Sequence, residues 1–255
     1  MVDVFPVHLT PTGEERTVRV YTPAAHATGD RRYPVLYMLD GHNLFDDADA
    51  SYGRAWRLGA HLDTHGPEVI VVGIDAAPGE RRSDEYTPWS ITHPRHEPHP
   101  DGVGDGGGGR AFVDWLVREL KPAIDARYRT DPTATALAGA SLGGLMAIYG
   151  AAAHPSVIRR AAAFSASIEV NERDLIPYLE RRDLSALERL YLDVGTHEWS
   201  DPADCDAYRA ACARAAAELA TRVRRFRFDV IDGGAHHEAS WAARLGDVLA
   251  FLYGP

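Results

Sequence analysis

The sequence predicts an α/β fold, a mostly parallel central sheet with helices on both faces. Three observations predict it. Short β-type runs alternate with helical patterns along most of the chain, the rhythm of units whose successive strands lie parallel. The runs Glu68–Asp75 and Thr133–Ala138 are continuous rather than alternating in apolar character, as expected of strands covered on both faces. One strand-to-helix junction carries Gly139-Ala-Ser-Leu-Gly143, where the glycines omit side chains that would clash in so tight a turn.

In chain order the β-type runs are Thr17–Tyr21, Tyr33–Leu39, Glu68–Asp75, Thr133–Ala138, Arg160–Phe164, Leu190–Val194 and Arg224–Ile231. Helical spacing marks Trp56–Thr64, Arg110–Ala126, Leu142–Ala153, Pro202–Val223 and Ala239–Leu252. The first two runs have no helix between them, so an antiparallel edge hairpin is expected there. Ala76 to Gly109 breaks the rhythm, being rich in proline, histidine and glycine. It reads as a long structureless loop or lid passing over the sheet's carboxyl edge, where α/β sites open. Its closing glycines, 106–109, read as a flexible hinge: the Lys-Ser/Thr pair of a phosphate loop is absent.

The whole chain, 1–255, suits one domain. A net charge of −10 argues against nucleic-acid and anionic-membrane partners. No apolar run is long enough to span a bilayer. The opening Met-Val-Asp-Val-Phe-Pro-Val-His-Leu has no basic stretch followed by an apolar one, so a cytoplasmic location is expected. Cys205 and Cys212 form no framework and read as idle or buried thiols. His93, His96 and His99 form a row interrupted by prolines, with no cysteine or placed carboxylate to complete a metal site. A solvated loop is expected, with no metal and no cofactor.

The chemistry centres on Ser141. GxSxG between strand and helix is the nucleophile elbow of the α/β-hydrolase fold. A serine hydroxyl needs a base to take its proton as it attacks, and the base needs an orienting carboxylate. In this fold the order along the chain is Ser, Asp/Glu, His. His236 and His237 follow the last strand and open the final helix, and either could be the base. Glu198 follows the preceding strand, with Asp201 and Asp204 as alternatives; Asp193 lies inside that strand and reads as structural. The oxyanion of a tetrahedral intermediate would be met by the N–H of Leu142 and by that of His42, which Gly41 lets turn toward the pocket. Ser165 and Ser167 also follow a strand but lack an elbow, so they are not read as nucleophiles. Trp89, Trp199 and Trp241 stand near these loops, as pocket lining or as packing.

Several of these pieces together resemble one family: Tyr37-Met-Leu-Asp-Gly-His-Asn-Leu-Phe45, Gly73-Ile-Asp75, Arg82-Ser-Asp-Glu-Tyr-Thr-Pro-Trp89, Ala138-Gly-Ala-Ser-Leu-Gly-Gly144, Gly195-Thr-His-Glu198 and Gly233-Gly-Ala-His-His-Glu-Ala-Ser-Trp241. The chain is similar over most of its length to the esterases grouped with enterochelin (siderophore) esterases, esterase D and the feruloyl and acetylxylan esterases. The resemblance implies Ser141 as nucleophile, His236 as base and Glu198 as acid, although some siderophore esterases manage with a Ser-His pair. It also places His237 where asparagine is common, and Arg82 and Glu85 beside the pocket as substrate-binding residues. The expected function is a serine esterase acting on a small-molecule carboxylic ester or thioester. An acyltransferase of the same fold and a non-catalytic binding protein are the alternatives.

Overall fold

The computed structural model describes residues 2–93 and 96–254. Eight strands form one sheet: β1 (Val2–Leu9), β2 (Glu14–Tyr21), β3 (Tyr33–Leu39), β4 (Ile70–Ile74), β5 (Thr130–Ala140), β6 (Ile158–Phe164), β7 (Arg189–His197) and β8 (Arg225–Ala235). Their spatial order is β1-β2-β4-β3-β5-β6-β7-β8. From β4 to β8 every neighbouring pair is parallel, while β2 runs antiparallel to both β1 and β4. The chain has an α/β-hydrolase-type fold.

The expected edge hairpin is therefore corrected. The run at Thr17–Tyr21 does not pair with Tyr33–Leu39; it lies between β4 and β1, a strand the sequence pattern did not reveal. The physical reason lies in the burial of each run. Strand β3 is almost wholly buried and sits between β4 and β5, which no edge position allows. Strand β1 alternates exposed and half-buried residues and contains Pro6, which fits only an edge. Its hairpin closes through Gly13, whose φ is +73° and whose N–H donates to the Leu9 carbonyl.

Alternation along the strands feeds two cores. In β3, Val35, Tyr37 and Leu39 face one layer, and Leu36 and Met38 face the other. Helices α1 (Leu58–His65), α2 (Arg81–Glu85), α3 (Gly109–Trp115), α4 (Lys121–Arg127), α5 (Leu142–Ala153), α6 (Glu172–Glu180), α7 (Pro202–Ala220), α8 (Glu238–Ala242) and α9 (Leu245–Tyr253) complete the chain. Buried residues of α3 to α7 pack on the first face, and those of α1, α8 and α9 on the second. A π-turn at Leu116–Leu120 joins α3 to α4. It precedes Pro122, whose ring would clash in a regular turn.

The 76–109 segment is not structureless. It contains α2, and its tail wraps the carboxylate of Asp84, which accepts the N–H groups of Gly104 and Gly106. The Thr87 carbonyl accepts those of Gly107 and Gly109. A Cβ at Gly106 would lie 2.2 Å from Thr87 Oγ1, so this glycine serves close packing rather than a hinge. Within the histidine row, His96 and His99 bond Asp105 and Asp101 respectively, and no metal-type cluster occurs among the described residues. No helix of the described residues is long and apolar enough to cross a membrane. The four loops after β3, β5, β7 and β8 open at the same carboxyl edge of the sheet.

Candidate active site

The loop after β5 places Ser141. Strand and helix nearly touch here: a Cβ at Gly139 would lie 2.6 Å from the Gly143 backbone. To make the reversal Ser141 adopts φ 58°, ψ −126°, a region that costs a non-glycine residue about 1–3 kcal/mol. The surroundings hold it there, because its N–H donates to the Phe164 carbonyl and its carbonyl accepts from Gly144, Leu145 and Ser167. Leu142 opens α5, where first-turn N–H groups have no carbonyl of their own helix to meet.

The loops after β7 and β8 place Glu198 and His236. At their mouth the two strands pinch together; a Cβ at Gly195 would lie 2.1 Å from the Gly234 carbonyl oxygen. That approach brings Glu198 beside His236, whose Nδ1 lies 2.8 Å from Glu198 Oε2. The other carboxylate oxygen accepts the Gly195 N–H. Burial pushes the Glu198 carboxyl up, but hydrogen bonds from His236, Ser165 and the Gly195 N–H together hold it below the usual range. Three rings surround the imidazole: Trp199 stacked at 4.6 Å, Trp241 edge-on at 5.1 Å and Tyr208 edge-on at 5.8 Å. Trp241 is anchored by donating to Ser165 Oγ at 2.9 Å. Ser165 in turn is tied through its N–H to Asp193, whose buried carboxylate is gripped by the fork of Arg244.

The loop after β3 carries His42. Gly41 packs so closely on β4 that a Cβ would lie 2.6 Å from the Gly73 backbone. Asp40, just before it, is left-handed at φ 58°, ψ 50°. Its N–H donates to Tyr86 Oη, and its carboxylate receives both Nε and a terminal nitrogen of Arg82 at 2.7 and 2.8 Å. His42 follows in the short 3-10 turn Gly41–Asn43, its ring facing Ser51.

Ser141, His236, His42 and Arg82 all line one cavity of about 660 Å³, walled also by Tyr52, Trp199 and Trp241. Other sequence candidates lie elsewhere or do other work. Glu85 faces Arg16 and the Ala77 N–H and does not line this cavity. Asp201 caps α7 by accepting the Ala203 N–H. Asp204 lines a neighbouring cavity of about 510 Å³ on the far side of Trp199. His237 lines the main cavity, but its Nδ1 accepts the Ser240 N–H as the cap of α8. Trp89 packs against Tyr149 and Tyr178.

The hydroxyl of Ser141 is not hydrogen-bonded to His236; it lies 3.1 Å from Ser167 Oγ. Ser167, Tyr208 and Asp40 are the site residues that the sequence reading missed. For Ser167 a signal existed, since it follows β6 at the same sheet edge. For Tyr208 and Asp40 the partners are too distant in sequence to be inferred.

Comparison with known proteins agrees with this architecture. The family model described as "Putative esterase" matches residues 10–252. An uncharacterized protein of Bacillus subtilis, YbbA, is 23% identical over 248 residues, covering 94% of this chain and 93% of that one. A siderophore triacetylfusarinine C esterase of Aspergillus fumigatus is 32% identical over 128 residues, 48% of this chain and 40% of that protein. The crystal structure of an IroE-like serine hydrolase from Shewanella oneidensis shares the fold, with a TM-score of 0.78 at 20% identity over 98% of this chain and 80% of that one.

Proposed function

We propose, from the premise that this chain belongs to the esterase family and is a carboxylic ester hydrolase, that it cleaves a small-molecule ester through an acyl-enzyme on Ser141. The observation that carries this is the hydrogen bond from the His236 imidazole to the buried Glu198 carboxylate, in the same pocket as a strained serine at an elbow.

The geometry supports the following mechanism. A carboxylate can only accept, so His236 Nδ1 carries the proton and Nε2 keeps its lone pair for Ser141. After Ser141 turns toward His236, Nε2 takes the hydroxyl proton as Oγ attacks the ester carbonyl. The N–H groups of Leu142 and His42 receive the oxyanion, and Glu198 stabilises the imidazolium that forms. Nε2 then protonates the leaving alcohol. Water, deprotonated by the same nitrogen, releases the acid and restores the serine.

Siderophore esters are the first substrates to try, because a siderophore esterase is among the relatives. The decisive test is Ser141→Ala. It should abolish both p-nitrophenyl acetate hydrolysis and labelling by a fluorophosphonate while the fold survives. Turnover at the wild-type rate would remove Ser141 from the mechanism.

A further inference from the structure

We propose that Ser167, backed by Tyr208, holds the resting hydroxyl of Ser141 away from His236 and thereby sets how readily the nucleophile is activated. This rests on the reading of Ser141 as nucleophile and His236 as base.

A row of hydroxyls, each with one proton, leads from the protein interior to Ser141. It begins at the Ser165 carbonyl, which can only accept. Tyr208 Oη lies 2.6 Å from that oxygen and must donate to it. The phenol has one proton, so toward Ser167 Oγ, 3.1 Å away, it can only accept. Ser167 therefore spends its own proton on Tyr208. Toward Ser141 Oγ, also 3.1 Å away, Ser167 has only lone pairs left to offer. The proton on Ser141 thus points at Ser167.

Each link is held in place by other forces. The N–H of Ser167 donates to the Ser141 carbonyl at 3.0 Å, fixing the two residues side by side. Tyr208 is buried and packs against both Trp199 and His236. Burial pushes its phenol well above the ordinary range, so it keeps its proton. The carbonyl at the far end thus dictates the direction of every hydroxyl in the row. His236 needs the very proton that this row has captured. Activation requires Ser141 to rotate about its Cα–Cβ bond, giving up one neutral hydrogen bond for another. Ser167 is accordingly a positioning residue acting through Ser141, and it restrains rather than assists the attack.

The test is the rate of covalent labelling by a fluorophosphonate, which needs no knowledge of the natural substrate. In that step Ser141 Oγ forms a bond to phosphorus, the P–F bond breaks, fluoride leaves and the serine proton passes to His236 Nε2. Ser167→Ala removes the competing acceptor, so labelling should accelerate roughly two- to tenfold, the worth of one neutral hydrogen bond. Ser167→Thr keeps the hydroxyl and should restore the slower rate. Tyr208→Phe frees the Ser167 proton to turn toward Ser141, so it too should accelerate labelling. A structural defect would move the rate the other way. Labelling of a folded Ser167→Ala variant at or below the wild-type rate overturns the proposal. If that variant does not fold, the same criterion applied to Tyr208→Phe decides. Labelling that persists in Ser141→Ala would instead overturn the assignment of the nucleophile itself.

Discussion

The two halves of the pocket are held by different means. On one side, His236 and Glu198 come from adjacent parallel strands and meet because Gly195 and Gly234 let those strands pinch. A short charge-assisted hydrogen bond and three aromatic rings fix the imidazole. On the other side, the loop after β3 is a strained turn whose left-handed Asp40 is gripped by an arginine 42 residues away. The first half is built from neighbours in the sheet, the second from a tie across the fold. In the proposed mechanism, proton transfer would therefore depend on local packing, and oxyanion placement on a long-range ion pair.

Substitutions on each side should separate these dependencies. The largest effect is expected from His236→Ala, which removes the proposed base; kcat should fall by roughly 10⁵- to 10⁶-fold with the fold retained. Glu198→Gln should lower kcat by roughly 10³- to 10⁴-fold, because an amide no longer selects the Nδ1–H form. A smaller loss would mean that the pair Ser141 and His236 suffices. Glu198→Gln also has a readout in stability. The carboxyl titrates below its ordinary range when folded, so its ionised form stabilises the protein above the unfolded value of about 4.3. That advantage is lost as pH falls through the folded value. Wild type and variant should therefore converge in urea midpoint under strongly acidic conditions and separate at neutral pH.

Arg82→Ala probes the opposite half. It leaves the Asp40 carboxylate without its fork and should lower kcat by roughly 10- to 100-fold through misplacement of the His42 N–H. KM should change little. Arg82→Lys should recover only part of the loss, because an ammonium cannot reproduce two parallel hydrogen bonds. An effect confined to KM would instead make Arg82 a substrate-binding residue.

The smallest effect on turnover should come from Glu169→Gln, in the cavity beyond Trp199. Burial, followed by the nearby charges of Glu172 and Glu198, pushes this carboxyl up to about 8. A folded value above the unfolded one means that its stabilising contribution is complete below about pH 4.3 and is lost as pH rises through about 8. The glutamine variant, which cannot ionise, should gain on wild type over that window and exceed its urea midpoint at pH 9. Equal slopes of stability against pH would contradict the raised value.

Much of the fold was legible in the sequence because alternation of strands and helices leaves a strong periodic trace. Helix α5 was bounded correctly at both ends, and the central strands stood out by continuous apolar character. Strand β1 escaped because its exposed Val2 and Val4 and its proline read as no strand at all. The glycine-rich tail was mistaken for a hinge because the carboxylate it wraps, Asp84, lies about twenty residues earlier. In the site, Ser141, Glu198 and His236 each follow a strand, so chain order narrowed the search to their loops, while the choice of His236 over His237 and of Glu198 over Asp201 and Asp204 leaned on the family resemblance. Glu85 showed no such logic: its partner Arg16 lies 69 residues away, and no rule of spacing joins them. Ser167 was weighed only as a nucleophile, which hid its contact with Ser141.

The antiparallel hairpin at the edge of the sheet has a reach beyond its position. From β2, Arg19 forks onto Asp75, the residue against which Gly41 is wedged, and Arg16 holds Glu85 on the helix that carries Arg82. These two arginines brace, from behind, both walls of the turn that presents the His42 amide. Residues outside the pocket would thus act as scaffolding for the proposed step in which charge builds on oxygen, and clipping the chain after Tyr21 would remove the brace while leaving every proposed reacting group in the protein.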